Sequence, residues 1–286
     1  MQPKVTTFFD EATNTATHVV EDSASRRCAV IDSVLDFDAA SGRTSTKSAD
    51  AVVDFVEADR LSVQWILETH VHADHLTAAP YIKERLGGMI GIGAGVQKVQ
   101  SVFGDIFHLQ DFHADGRQFD RLFSDEETFA IGELSAFVMH TPGHTPACCT
   151  YVVGDAGFVG DTLFMPDSGT ARCDFPGGDA ATMYESIQRI LALSTETRLF
   201  ICHDYKTPSR DEYAWETTVA EQKEKNIHTR DGVSKEEFII LRTSRDATLG
   251  MPKLLLPSIQ VNICAGHLPP PDDNDVSYLK IPLNAF

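Results

Sequence analysis

The chain contains no run approaching the roughly 18 consecutive apolar residues that a membrane-spanning helix requires, so no span is expected. Its first residues, MQPKVTTFFDEATNT, lack a basic stretch followed by an apolar one, and lack the arginine-rich, acid-poor character of a transit peptide. A cytoplasmic location is the expectation. Cysteine is sparse: Cys28, Cys148, Cys149, Cys173, Cys202 and Cys264 form no C-x-x-C motif and sit mostly in apolar runs, as buried free thiols do in a reducing compartment. Basic residues are also short. Lys plus Arg number 24 against 42 Asp plus Glu, a net charge of −18, which disfavours nucleic acid and anionic membranes because Lys and Arg supply the affinity for polyphosphate. Any anionic substrate must then be met by a local basic patch. Repeats, heptads and low-complexity tracts are absent, and only Pro269–Asp273 (PPPDD) reads as obligate coil.

What is present is a folded composition: 286 residues, 42% hydrophobic and 23% charged, long enough to build a core without disulfide staples. Apolar runs bounded by turn residues predict strands at Val5–Phe9, Thr17–Glu21 and Cys28–Ile31, then a helix with Ser48 as its N-cap. A strongly apolar strand, Val63–Leu67, runs into Glu68-Thr69-His70-Val71-His72-Ala73-Asp74-His75 and then a helix over Leu76–Leu86 that Gly87 and Gly88 stop. Strands at Met89–Ile92, Glu133–Met139, Cys149–Val153 and Phe158–Gly160 follow, with a helix over Val96–Phe103. An amphipathic helix after Asp179 precedes a strand at Arg198–Cys202, and the last 80 or so residues read as mainly helical, beginning in the same sheet layer. The pattern is layered α/β with polar residues at strand ends.

Three of the eleven histidines fall within His70–His75, beside Asp74, where a strand ends. Imidazole and carboxylate are the ligands of Zn, Fe and Mn, and a loop can turn all four toward one point. A helix-capping cluster built on Asp74 with exposed histidines is the bland alternative. Thr141-Pro142-Gly143-His144-Thr145, Phe158-Val159-Gly160-Asp161-Thr162-Leu163 and Phe200-Ile201-Cys202-His203-Asp204 repeat the arrangement, each putting His or Asp just after an apolar run. Singly, each reads as a capped turn or a satisfied core histidine. Together they put metal-ligand chemistry at four strand ends.

The ordered motifs H-x-H-x-D-H, P-G-H, G-D-T-L and C-H-D resemble the metallo-β-lactamase superfamily. That resemblance implies an αββα sandwich with a metal cleft at its edge, as one domain over residues 1–286 comprising a core to about 205 and a C-terminal extension over about 206–286. In that family the positions matching His70, His72, His144 and Asp161 serve one metal, and those matching Asp74, His75, Asp161 and His203 serve another. The segment GDTLFMPDSGTARCDFPGGD is similar to the glutathione-handling branch, and Arg172–Gly178, His203–Lys206 and Tyr278–Leu283 resemble its bacterial persulfide dioxygenase subgroup. Asp167–Ala171 departs from the G-C-G-type turn of mitochondrial members. The resemblance implies one Fe(II) per chain on His70, His144 and Asp161, and oxidation of glutathione persulfide with O2 to sulfite and glutathione. It leaves His72, Asp74, His75, His203 and Tyr205 around the ligands. Two imidazoles and one carboxylate with open positions is a non-haem iron arrangement. The residues alone equally permit two metals and a glyoxalase II-like glutathione thioesterase. A zinc-stabilised binding domain would favour cysteine ligands, which are not at ligand spacing.

For glutathione's carboxylates, Arg172 offers a planar fork, and Tyr205 and Lys206 follow His203 directly. Pairing of Arg172 with Asp174 or Asp179, and a solvated Lys206, is the alternative. Assembly into a homodimer through the extension is left open.

Overall fold

A computed structural model describes residues 2–285, so the outermost residue at each end of the single expected domain lies outside the described residues. In chain order, β1 (Lys4–Asp10), β2 (Thr15–Asp22) and β3 (Arg27–Ile31) form a meander, followed by the hairpin β4 (Val34–Asp38) and β5 (Arg43–Ser45), and α1 (Lys47–Ala58). Next come β6 (Ser62–Glu68), β7 (Leu76–Thr77), α2 (Ala79–Leu86), β8 (Met89–Gly93), α3 (Val96–Ile106) and β9 (Arg121–Phe123). The later part holds β10 (Thr128–Ile131), β11 (Leu134–His140), β12 (Cys149–Val153), β13 (Ala156–Phe158), α4 (Ala180–Leu191), β14 (Arg198–Phe200) and β15 (Glu216–Thr218). It closes with α5 (Val219–Lys225), α6 (Lys235–Asp246) and α7 (Leu255–Asn262).

Two six-stranded sheets, ordered β1-β2-β3-β6-β8-β9 and β10-β11-β12-β13-β14-β15, stack face to face. Side chains alternate along a strand, so a strand buried on both sides must be apolar throughout. β3 meets this demand: Cys28 and Val30 join the cluster under α1, α2, α3 and α7, while Ala29 and Ile31 join Tyr151, Phe158 and Phe200 between the sheets. The second sheet's outer face carries Met183, Ile187 and Ile190 of α4 and Phe238 of α6. The layers are therefore helix, sheet, sheet, helix, and the extension contributes to both helical layers.

Several local expectations change. Ser48 is not the N-cap of α1; Thr46 is, because the Ser48 amide and hydroxyl are both taken by the Asp36 carboxylate at 2.9 and 2.8 Å. The expected Leu76–Leu86 helix starts only at Ala79, since Leu76 and Thr77 pair with Leu35 and Val34 as a strand and Pro80 suits a helix's first turn. β13 and β14 stop at Phe158 and Phe200, short of the expected ends, which leaves Asp161 in a turn and His203 in an isolated bridge to Thr15. The extension is less helical than expected, with no helix or strand from residue 263 to 285. The short strands β5, β9 and β10, of three or four residues, lack the length that makes periodicity readable.

Candidate metal centre

β6 delivers the first ligand loop. Asp32, at the end of β3, accepts from the Thr69 amide at 2.7 Å and the Thr69 hydroxyl at 2.8 Å, turning the chain out of the sheet. The second strand-end loop comes close against it: a Cβ on Gly160, at φ +53°, would lie 2.5 Å from Thr69 Oγ1, so only glycine fits there. Gly143, at φ +142°, is pressed against the Met183 backbone in the same way, which seats His144 over α4.

These loops bring seven expected residues together: His70, His72, Asp74, His75, His144, Asp161 and His203. Ligand atoms of His70, His144 and Asp161 lie within 4.8 Å of one another, and so do those of His72, Asp74, His75 and His203. All are buried except Asp74, which is partly exposed. The helix-capping alternative is thereby overturned: the histidines face inward.

Hydrogen bonds assign the imidazole protons. A carbonyl only accepts, so His144 donates Nδ1–H to the Arg172 carbonyl at 2.7 Å and keeps a bare Nε2. His203 likewise donates Nδ1–H to the Asn14 carbonyl at 3.2 Å. The Thr69 hydroxyl gives its proton to Asp32, so it accepts from His70 Nδ1 at 3.0 Å, and Nε2 is again bare. His72 is reversed: Nε2 lies 3.0 Å from Asp32 and 3.2 Å from Glu68, leaving Nδ1 free.

The bare nitrogens confront carboxylate oxygens. Asp161 Oδ2 lies 3.8 Å from His70 Nε2 and 3.6 Å from His144 Nε2, and Asp161 Oδ1 lies 3.5 Å from His203 Nε2. Lone pairs facing lone pairs repel unless a cation lies between them. His72 Nδ1, His75 Nε2, Asp161 Oδ1 and His203 Nε2 are buried without a hydrogen-bond partner, each costing about 1–3 kcal/mol if left so. The donor set therefore fits metal ions of the zinc or iron type.

Electrostatics agree with that geometry. Burial and the neighbouring imidazoles push His70 well below its ordinary value, and His75 to about 4. Neutral imidazole is the ligating form. His72 differs: burial disfavours its charge, yet Asp32 and Glu68 hold it well above the usual imidazole range. Burial raises Asp161, against the pull of His203 and His144.

The expected substrate groups sit at the rim. Tyr205 is 53% exposed and stacks on His203, with ring centroids 6.1 Å apart. Lys206 Nζ lies 3.6 Å from Asp211 and 4.5 Å from the Tyr213 ring centre. Arg172 turns its guanidinium to Asp174, with Nη2 donating at 2.6 Å, and to the Gly250 carbonyl, which is the pairing weighed as the alternative. Sequence reasoning missed Asp32 and Glu68. Both carried a readable signal, an acid directly after an apolar run: Asp32 follows Cys28–Ile31 and Glu68 follows Val63–Leu67.

Residues 12–203 match the metallo-beta-lactamase superfamily. A probable metallo-hydrolase of Burkholderia pseudomallei strain 1710b is 56% identical over 98% of both chains. Glyoxylase B2 of Dictyostelium discoideum is 49% identical, over 98% of this chain and 97% of its own length. The mitochondrial persulfide dioxygenase ETHE1 of Homo sapiens is 27% identical over 81% of this chain and 77% of its own length. Among solved structures, ETHE1 from Myxococcus xanthus superposes with a TM-score of 0.72 and 28% identity, over 93% of this chain and all of that one. With paired sheets between helical layers and a histidine and aspartate cluster at their edge, the chain belongs to the metallo-beta-lactamase superfamily.

Proposed function

We propose that the protein is an Fe(II)-dependent persulfide dioxygenase that converts glutathione persulfide, O2 and water to glutathione and sulfite, with one iron per chain held by His70, His144 and Asp161. The sulfane sulfur loses four electrons, O2 takes four, and two protons are released. The observation that carries this reading is the two-imidazole, one-carboxylate group with both Nε2 atoms bare and their protons held elsewhere by Thr69 and Arg172. Likeness to ETHE1 over most of the chain supports it.

Ferrous iron would supply the one-electron chemistry that lets O2 react with a closed-shell sulfur. The chain's own residues do the rest. Thr69 and the Arg172 carbonyl fix ring orientation; Asp32 and Glu68 hold His72; Asp74, His75 and His203 complete the polar wall. Tyr205 and Lys206 stand at the rim, where an anionic tripeptide must find positive charge on a protein of net charge −18. Arg172 is the third candidate, with its guanidinium tied to Asp174 and the Gly250 carbonyl.

A two-metal thioester hydrolase is the second reading. It is favoured by the His72, Asp74, His75 and His203 group with its partnerless nitrogens, and by the relatives named metallo-hydrolase and glyoxylase. Metal analysis of protein purified without added metal, combined with oxygen consumption and sulfite release on glutathione persulfide, tests the first. The expected result is one iron per chain, O2 uptake, and near inactivity on S-lactoylglutathione. Two zinc ions and thioester hydrolysis without O2 uptake would establish the second.

A further inference from the structure

Helix α7, in the C-terminal extension, ends on a buried residue for which the ligand motifs provide no role. Asn262 Nδ2 donates to the main-chain carbonyls of His72 and His75, each at 2.8 Å, and its Oδ1 accepts from the Thr77 amide at 2.9 Å. Up to 190 residues of sequence separate the partners. A carboxamide offers two donors and two acceptor lone pairs, and three of these four are committed to the ligand loop and to the strand β7 that follows it.

The loop has reason to need them. Residues 69–75 leave β6 without a strand partner, carry four of the seven candidate ligands, and are almost entirely buried. Main-chain carbonyls in such a place need a donor from outside the segment. The helix that brings the donor is firmly seated: Leu255, Ile259 and Ile263 pack into the cluster that includes Ala79 and Ile82, and Gln100 donates to the Ile263 carbonyl at 2.8 Å. Ser258, Gln260 and Asn262 are all buried on this short helix, where a polar side chain is costly unless satisfied.

We propose that Asn262 is a positioning residue of the metal centre: by clamping the carbonyls of His72 and His75 it fixes the loop that carries the ligand His70 together with those two imidazoles, and so makes the C-terminal extension a working part of the site. The inference rests on the cluster being a metal centre. A residue that only glued α7 to the core would affect the stability of the metal-free fold and nothing else.

The test separates the two roles. Asn262→Asp keeps the size and an acceptor but sets a carboxylate oxygen against two carbonyls; Asn262→Ala removes all three bonds; Asn262→Ser, able to retain one donor, is the milder variant should either fail to fold. Gln260→Ala is the control, because its amide exchanges hydrogen bonds with the Lys280 main chain at 2.9 and 2.8 Å and touches no ligand loop. The readouts are Fe(II) and Zn(II) dissociation constants by chelator competition, the Co(II) absorption spectrum, and the Tm of the metal-free protein. The Asn262 variants should bind metal about 10- to 100-fold more weakly with an altered Co(II) spectrum, as loss of a ligand's support does elsewhere. Gln260→Ala should lower Tm and leave affinity within about twofold. Folded Asn262 variants with parental affinity would overturn the proposal, as would an equal loss in Gln260→Ala, which would assign the effect to loosening of the helix. A parent protein that binds no ion would remove the metal-centre reading itself, and the positioning role of Asn262 with it.

Discussion

The Arg172 carbonyl, 2.7 Å from His144 Nδ1, decides which nitrogen of that ring is available, and a single main-chain atom thereby sets the chemistry of a ligand. If one metal rests on His70, His144 and Asp161, His144→Ala removes one of three ligands and the purified protein should carry no iron. His203→Ala should retain iron and lose at least about tenfold in activity, because His203 belongs to the surrounding wall. Equal metal loss in both variants would point to the two-metal arrangement. The Arg172 side chain is a separate question. Arg172→Ala should raise the KM for glutathione persulfide with iron content unchanged, since a contact made equally in ground and transition states affects KM first. An unchanged KM would confine the Arg172 and Asp174 pair to loop structure.

At the scale of elements, α6 holds the loop that carries that carbonyl. Arg242 and Asp246, both buried, pair at 2.6 Å one helical turn apart. Arg242 Nη1 donates to the Thr170 carbonyl at 3.0 Å, the Cys173 amide donates to Asp246 at 2.8 Å, and the Thr170 amide donates to His228 Nδ1 at 3.0 Å. The backbone on both sides of Arg172 is thus fixed from the extension. Arg242→Ala would strand the Asp246 carboxylate in the core and should cost about 3–5 kcal/mol in chemical denaturation. It should also weaken metal binding, because the carbonyl that orients His144 loses its frame. A stability loss below about 1 kcal/mol would mean that water reaches Asp246.

For the whole molecule, burial of titratable groups makes stability depend on pH. His18 lies between the sheets, donates Nε2–H to the Ile201 carbonyl at 2.9 Å, and is pushed down to about 4, chiefly by burial. Between about 4 and 6.5 the unfolded chain binds a proton that the folded one refuses, so stability is fully present above pH 6.5 and falls as pH drops toward 4. The displacement corresponds to about 3 kcal/mol for this group. Denaturation of the metal-free protein at pH 7.5 and 5 should reveal the loss, and His18→Gln should flatten it. An unchanged slope would assign the acid sensitivity to the other buried imidazoles that burial lowers, His70, His75 and His228.

The sequence by itself determined the candidate ligand set and its order, because each candidate closely follows an apolar run and a turn, and both signals are local. His70, His72, Asp74, His75, His144, Asp161 and His203 could be read without coordinates for that reason. The layered α/β pattern was legible through apolar runs such as Cys28–Ile31, while the paired sheets followed only from the resemblance of the ordered motifs to the family. Tertiary structure alone decided which nitrogen each imidazole presents, and that Asp32, Glu68 and Asn262 support the centre. Those are hydrogen bonds between residues as many as 190 positions apart, donated or accepted by ordinary polar side chains whose partners no local pattern specifies. Long-range pairing of that kind exists only once the two sheets have stacked and the extension has closed over the first ligand loop.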